Sequence, residues 1–245
     1  MSELITNPKR SDGFGAQFQS IIYSVIFADL NQKKFVYTPF SAMEHNYDND
    51  PHYLAKKESL INFISNFEPN PGIPQPTAVN DLYRFVEARV DSWAGTLKRI
   101  KTIFRQNKKF PPRAGVTAAI HVRRVNSHDN RSDYPLDATY LSIISKLKNN
   151  FQGQTLNLRI YSQGLQSEFD AYKGIENLTL HLNGPVEETF TEMATSDVLV
   201  TTGSSFSYVA GLLSDGDVYY IPFWHPPLPH WKITEKPLLP KQNAA

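Results

Sequence analysis

The stretch Ala118-Ala119-Ile120-His121-Val122-Arg123-Arg124-Val125-Asn126, near the middle of the 245-residue chain, decides how the rest is read. Its apolar opening follows Pro111-Pro112, the mark of a buried strand entered from a loop, and predicts a strand over 116–122. A histidine and two adjacent arginines arrive where that strand must end. A guanidinium carries a permanent charge and is costly to bury without an anionic partner. Two of them at the carboxyl end of a core strand point either to an anion held in a crevice or to a structural arginine–carboxylate pair.

Toward the C-terminus the pattern alternates. Strands are predicted over 156–161, 178–182, 197–202 and 218–221, with helical spacing over 137–149, 168–172, 186–194 and 206–213. The loop 127–133 is polar, and the segment from Pro222 is rich in proline and aromatic residues. Toward the N-terminus, a basic, proline-containing linker over 105–113 separates an N-terminal half, 1–112, from a C-terminal half, 113–245. The N-terminal half opens with a short strand over 3–6 and a glycine loop over 11–17. A helix over 18–30 and a strand over 34–37, stopped by Pro39, complete this unit. A polar loop over 41–53, a helix over 54–67, a proline-rich loop and a long amphipathic helix over 81–104, broken at Gly95, follow. Strand and helix alternating at this spacing predict an α/β fold with a parallel, doubly wound sheet.

Composition sets limits. The apolar content of 40% is enough for a sizeable core, and the net charge of +1 gives no argument for nucleic acid or an anionic membrane as partner. Any anion site must be local. With no cysteine, disulfides, thiolate metal sites and a cysteine nucleophile are excluded. No apolar run approaches the length of a membrane span and no secretory leader is recognisable, so the expected location is cytoplasmic, or the chain is a soluble portion of something longer.

Two further features suit an anion. In Val198-Leu199-Val200-Thr201-Thr202-Gly203-Ser204-Ser205-Phe206-Ser207 a buried strand runs through a small-residue turn into a helix. Its free N–H groups and hydroxyls make a phosphate cradle, or Ser204 or Ser205 serves as a plain cap. In a doubly wound sheet this turn shares an edge with Arg123 and Arg124. Gly13-Phe14-Gly15-Ala16-Gln17 is a weaker, partial match to a phosphate-binding glycine loop, because Phe18 stands where a third glycine is expected. Asp48-Asn49-Asp50 and Asp215-Gly216-Asp217 match a manganese-binding carboxylate pattern, but both sit in polar turns where aspartate is expected anyway. Asn177-Leu178-Thr179 is a glycosylation sequon that a cytosolic protein does not use. Phe223-Trp224-His225-Pro226-Pro227 either stacks on a sugar or packs as a stiffened connection.

His121-Val122-Arg123-Arg124, with the polar loop and helix after it, resembles the HxRR motif of the α1,2/α1,6/protein-O-fucosyltransferase superfamily. Ile160-Tyr161-Ser162-Gln163-Gly164 is similar to the next strand end of that family. Ser196 through Ser207 resembles its serine-rich nucleotide motif, and the Gly13 segment its N-terminal glycine loop. The resemblance implies a GT-B glycosyltransferase, two Rossmann-like domains with mainly parallel sheets facing a cleft. It implies that Gly13, Phe14, Gly15 and Gln17 bind substrate, that Arg123 contacts the β-phosphate, and that His121 and Arg124 support the strand end. Ser162 lies at the next strand end, Ser204, Ser205, Phe206 and Ser207 line the diphosphate and nucleoside, and His181 and Leu182 border the base.

The implied reaction is inverting transfer of a sugar from a nucleoside-diphosphate donor to a glycan hydroxyl. Arginine and helix N–H groups stabilise the leaving diphosphate, so neither a metal nor another cofactor is expected. GDP-fucose is the donor the family implies. Val125-Asn126 and Ala16 depart from residues usual in the family, so a UDP-sugar such as UDP-xylose stands beside it. The proton acceptor is expected among Glu44, His45 and Asp81. A non-catalytic glycan- or nucleotide-binding module is the rival of another class.

Overall fold

Eight strands and seven α-helices make up the computed structural model, which describes residues 3–76, 78–110, 112–124 and 135–234. The chain divides into two compact units, Met1–Phe110 and Pro111–Ala245. Every strand pairing among the described residues is parallel, giving an α/β fold with parallel sheets.

The first unit is built on α1 (Phe14–Leu30), which joins β1 (Leu4–Thr6) to β2 (Lys34–Val36), paired in register Leu4↔Lys34 to Thr6↔Val36. Thirteen of the 17 residues of α1 are buried, so it is a core helix covered on nearly all sides. Tyr23 packs against Tyr83 and Trp93 with ring centroids 4.8 and 5.2 Å apart, and Phe18 meets Phe63 edge-on at 5.6 Å. The surrounding helices are α2 (Tyr53–Ile61), α3 (Val79–Glu87) and α4 (Ala94–Arg105).

Three expectations are corrected here. The segment Phe14–Gln17 is the first turn of α1, not a loop, with Gly13 as the N-cap. The helix predicted over 54–67 stops at Ile61, because Asn62 turns left-handed (φ 61°) and donates its side-chain amide to the carbonyls of Ile103 and Gln106. The helix predicted over 81–104 is two helices, separated at Val90–Ser92 by a 3-10 turn. Gly95 is not the break. Trp93, fully buried, folds back to donate its Nε1 to the carbonyl of Val86 at 3.0 Å, and the chain bends to let it in.

The second unit carries six parallel strands: β3 (Val116–His121), β4 (Leu156–Ser162), β5 (Leu178–Leu182), β6 (Val198–Val200), β7 (Asp217–Tyr220) and β8 (Lys232–Ile233). Their spatial order, β5-β4-β3-β6-β7-β8, is the Rossmann order 3-2-1-4-5-6. The sequence expectation closed the sheet at 218–221. A proline-rich return brings β8 in beside β7, with Tyr219↔Lys232 and Tyr220↔Ile233 in register.

Helices α5 (Asp137–Asn150), α6 (Val186–Thr195) and α7 (Ser205–Leu213) complete the unit, with a 3-10 segment at Gln166–Tyr172. Ala118, Ala119, Ile120, Val198, Leu199 and Val200 are almost wholly buried, as continuous apolar runs at the centre of a covered parallel sheet must be. The polar loop expected at 127–133 lies outside the described residues. No helix among the described residues is long and apolar enough to cross a membrane.

Candidate functional site

In the second unit the strand order reverses between β3 and β6. After β3 the chain steps outward to β4 and β5, then crosses back to place β6 on the other side of β3. The loops leaving the two strands therefore diverge and open a crevice at their carboxyl ends. Arg123 follows β3 there, and the turn Thr201–Ser204 follows β6.

The two arginines part company at once. Arg123 donates from Nη1 to the hydroxyl of Ser204 at 3.0 Å. Ser204 is the N-cap of α7, its Oγ accepting from the Phe206 amide at 3.3 Å. The guanidinium thus lies beside the first turn of a nine-residue helix, where amides have no preceding helical carbonyl to bond and the macrodipole favours negative charge. Arg124, its neighbour in an extended segment, turns away. It pairs with Asp137 Oδ1 at 2.8 Å, donates to the Glu168 carbonyl at 2.9 Å and lies over the Phe169 ring, 4.6 Å from its centroid. Tyr172 donates to the same Asp137 oxygen at 2.7 Å. Arg124 thus ties the strand end to the start of α5 and to the 3-10 segment.

The turn itself is shaped from inside. The Tyr140 hydroxyl forms a 2.7 Å hydrogen bond with Thr202 Oγ1 and accepts the backbone N–H of Arg123, clamping the ends of β3 and β6 together. Burial raises its pKa, outweighing the lowering by these two hydrogen bonds, so it stays protonated. Ser207 accepts from the Thr202 amide at 3.1 Å and is fully buried, so its hydroxyl serves the turn. Ser205 and Phe206 are half-buried at the helix start, and the Phe206 ring meets His121 at 5.7 Å and Phe190 at 5.4 Å.

His121 is part-exposed, but its Nδ1 is buried and has no hydrogen-bond partner among the described residues. Burial, then the charge of Arg123, lowers its pKa to about 3, so the ring is neutral near pH 7 and adds no positive charge. Ser162, at the end of β4, donates to the Gln163 carbonyl at 3.1 Å. His181 stacks on Tyr161 (4.9 Å, 20°) and approaches Thr179 Oγ1 at 3.1 Å. Partial burial, then Arg159, lowers its pKa. Leu182 packs against the hydrophobic core.

In the first unit Gly13, Glu44 and His45 meet. A Cβ on Gly13 would lie 2.9 Å from His45 Cδ2, so the ring sits where only glycine leaves room. Glu44 is exposed and anchored by its backbone, its amide donating to the Ser11 carbonyl at 3.0 Å. His45 Nε2 lies 4.0 Å from Glu44 Oε2, and Nδ1 lies 2.6 Å from the Tyr47 hydroxyl. Phe14 and Gln17 are buried: Phe14 packs on Phe18 and Phe40, and Gln17 donates to the carbonyls of Asp12 and Ala42. Gly15 is buried in the helix. Asp81 stands apart on the exposed first turn of α3, paired with Arg84 at 3.2 Å.

Sequence reasoning did not single out Glu58. This carboxylate accepts the Tyr37 hydroxyl at 2.9 Å and the Phe40 amide at 2.6 Å, fixing the chain as it leaves β2. Burial raises its pKa. One aspartate of each pair has a structural partner: Asp50 is held by Lys56 at 2.6 Å, and Asp217 by Lys232 at 2.6 Å.

No family model matches the chain, and no curated protein does. Among solved structures the chain is similar to NodZ alpha-1,6-fucosyltransferase soaked with GDP-fucose, at 12% identity over 87% of this chain and 93% of that one, with a TM-score of 0.40. It is also similar to NodZ alpha-1,6-fucosyltransferase co-crystallized with GDP, at 9% identity over the same shares, with a TM-score of 0.39.

Proposed function

We propose that the chain is an inverting glycosyltransferase that moves a sugar from a nucleoside-diphosphate donor to a hydroxyl of a glycan. One observation carries this reading: the Arg123 guanidinium rests on the N-cap hydroxyl of α7 at the switch point of a parallel sheet. A cation beside the positive end of a helix suits a diphosphate. The order of the His121-Val122-Arg123-Arg124 and Ser204-to-Ser207 motifs supports the sugar-nucleotide assignment.

In this reaction the acceptor oxygen bonds to the anomeric carbon from the side opposite the leaving group. The bond from that carbon to the phosphate oxygen breaks, and its electron pair leaves with the diphosphate. Arg123 and the first-turn amides of α7 stabilise the charge that grows there, and no metal is needed for that step. The acceptor proton passes to a base, which we assign to Glu44, with His45 next to it as the alternative. Fucose carried by GDP is the leading donor, with UDP-xylose the other arm of the test.

The test is a thermal-shift series with GDP, UDP, GDP-fucose, UDP-xylose and UDP-glucose, with and without manganese. A ligand that binds only the folded state raises the transition temperature by mass action. A metal-independent shift with one nucleotide series, lost in Arg123→Ala, is expected. A shift that requires manganese would overturn the metal-independent reading. Sugar-nucleotide binding without turnover, unchanged by Glu44→Gln, would favour a binding module.

A further inference from the structure

The six-stranded sheet of the second unit ends in two edges that are finished differently. On one side β8 is two residues long, and its Lys232 is paired with Asp217. A short, charged strand is a poor template for another strand. On the other side β5 runs for five residues, Leu178-Thr179-Leu180-His181-Leu182, with no lysine, arginine, carboxylate or proline. His181 is neutral near pH 7, its pKa lowered by partial burial and then by Arg159. Nothing in this strand discourages pairing.

The backbone of β5 is half used. The Leu158 amide donates to the Asn177 carbonyl and the Asn183 amide to the Ser162 carbonyl, both at 2.9 Å, so the odd-numbered residues aim their polar groups at β4. Alternate residues of a strand aim to opposite sides, which sends the N–H and C=O of Leu178, Leu180 and Leu182 outward. The Leu178 amide closes a turn onto the Ile175 carbonyl at 3.3 Å. The Leu178 carbonyl and both groups of Leu180 and Leu182 bond to nothing among the described residues. The side chains divide with the same period. Thr179 and His181 are exposed, while the three leucines rest half-buried on the rim of the core.

We propose that β5 is a dimerisation edge, which pairs antiparallel with β5 of a second copy of this chain about a two-fold axis at Leu180. The strand is its own complement. In that register Leu180 faces Leu180 of the copy, Leu178 faces Leu182, and Thr179 faces His181. Leucine meets leucine on the core side, so the join buries apolar surface that the edge leaves wet, and a hydroxyl meets an imidazole on the polar side. The outward amides of Leu180 and Leu182 then donate to the carbonyls of Leu180 and Leu178 of the copy. A slip of one residue would set each leucine against a polar side chain. Beyond the strand Asn177 meets Asn183 and Glu176 meets Gly184, so no like charges are opposed. A foreign peptide would have to supply this alternation, whereas a second copy has it by symmetry. The inference is independent of the glycosyltransferase reading.

Sedimentation of the whole chain over a micromolar concentration series, joined to a cross-linking test of register, checks this. The wild type is expected to form a dimer. Thr179→Lys, whose side chain points to solvent, should weaken self-association about tenfold or more and leave the circular-dichroism spectrum unchanged. Leu180→Pro, which removes only an outward N–H, should do the same. The chain has no cysteine, so single replacements report register cleanly. Thr179→Cys mixed with His181→Cys should give a disulfide dimer in oxidised glutathione, because directly opposed residues there lie about 4.5 Å apart in Cα. Either variant alone should not, since each then meets its own counterpart diagonally at about 7–8 Å. A wild type that stays monomeric throughout would overturn the inference and leave the edge to an extended peptide of another protein. A dimer unmoved by both Thr179→Lys and Leu180→Pro, or cross-linked as well by one cysteine variant as by the mixture, would overturn it too. Assemblies that grow beyond a dimer would mean that the strand pairs without a two-fold axis, which also defeats it.

Discussion

Two helix starts in this molecule follow parallel strands and open on glycine-containing turns, yet they are finished differently. At α1 the cap is Gly13, which has no side chain to bond the first amides, and the first turn is plugged with Phe14 and Gln17. The charged groups there are the Arg10–Asp12 ion pair and Glu44, which leave an excess of acid. At α7 the cap is Ser204, which bonds Phe206 and receives Arg123 from the adjacent strand. One start is armoured and acidic, the other capped and cationic. Supersecondary pattern alone therefore does not make an anion site; in the proposed function it is the charge brought in from the neighbouring strand that does.

The sharpest way to break this contrast is to remove the charge. Arg123→Ala should lower affinity for GDP or UDP roughly ten- to hundredfold, the range for a lost charged hydrogen bond of ~1.5–3 kcal/mol. Calorimetry reads that directly. The next residue gives the opposite profile. Arg124→Ala loses the Asp137 pair, a carbonyl bond and the Phe169 ring contact, all partly solvent-screened, and should cost about 1–3 kcal/mol of stability in urea unfolding. If Arg124→Ala lost nucleotide affinity at unchanged stability while Arg123→Ala did the reverse, the roles would have to be exchanged.

Tyr140→Phe probes whether the crevice is held open by design of its walls. The ring stays and only the hydroxyl that joins Arg123 to Thr202 is removed. A stability loss of about 1–2 kcal/mol is expected, because two buried groups lose a partner. A fall of a few-fold in nucleotide affinity should accompany it, although Tyr140 itself is fully buried. Loss of stability with affinity intact would show that the clamp serves the fold alone.

His121 gives the contrast a pH signature. Its folded pKa is depressed to about 3, against about 6.5 for an ordinary histidine. Between those values the unfolded chain binds more protons than the folded one, so stability rises with pH. The stability of the neutral ring is fully present above about pH 6.5 and is lost as pH falls toward 3. Urea unfolding from pH 4 to 8 should show a steeper acid loss for the wild type than for His121→Asn. Parallel curves would mean that the ring is not kept neutral by its surroundings.

Much of the second unit was legible in the sequence, because parallel strands covered on both faces must be continuously apolar: Ala118–Ile120 and Val198–Val200 could hardly be anything else. The meeting of Arg123 with the Ser204 turn was also readable, since all strands of such a sheet end on one edge. What escaped depends on distance in three dimensions. Nothing in Asp137-Ala138-Thr139-Tyr140 announces that one hydroxyl bridges two strand ends, since Tyr140 fits the apolar face of its helix equally well. The glycines at 13 and 15 looked like a loop because glycine is a poor helix former, yet burial of Phe14 and Gln17 outweighs that preference and starts α1 there. Gly13 is required for the closeness of His45, not for an unusual backbone angle, and spacing in the sequence cannot show that.

The smallest expected effect separates the two acids of the first unit. Asp81 lies on the first turn of α3, beside Arg84 three residues on, where a carboxylate is favourable against the helix dipole whatever the protein does. Glu44 follows β2 in an irregular segment, its backbone tied to Ser11 and its carboxylate open to solvent beside His45 and Gly13. Asp81→Asn should therefore change stability by less than about 0.5 kcal/mol, as exposed helix pairs do, and leave turnover unaltered. Glu44→Gln should leave stability alone and lower kcat with nucleotide affinity intact, the profile of a lost proton acceptor. If turnover fell with Asp81→Asn and not with Glu44→Gln, the base would belong to the exposed helix, and the acidic character of the Gly13 corner would have no part in catalysis.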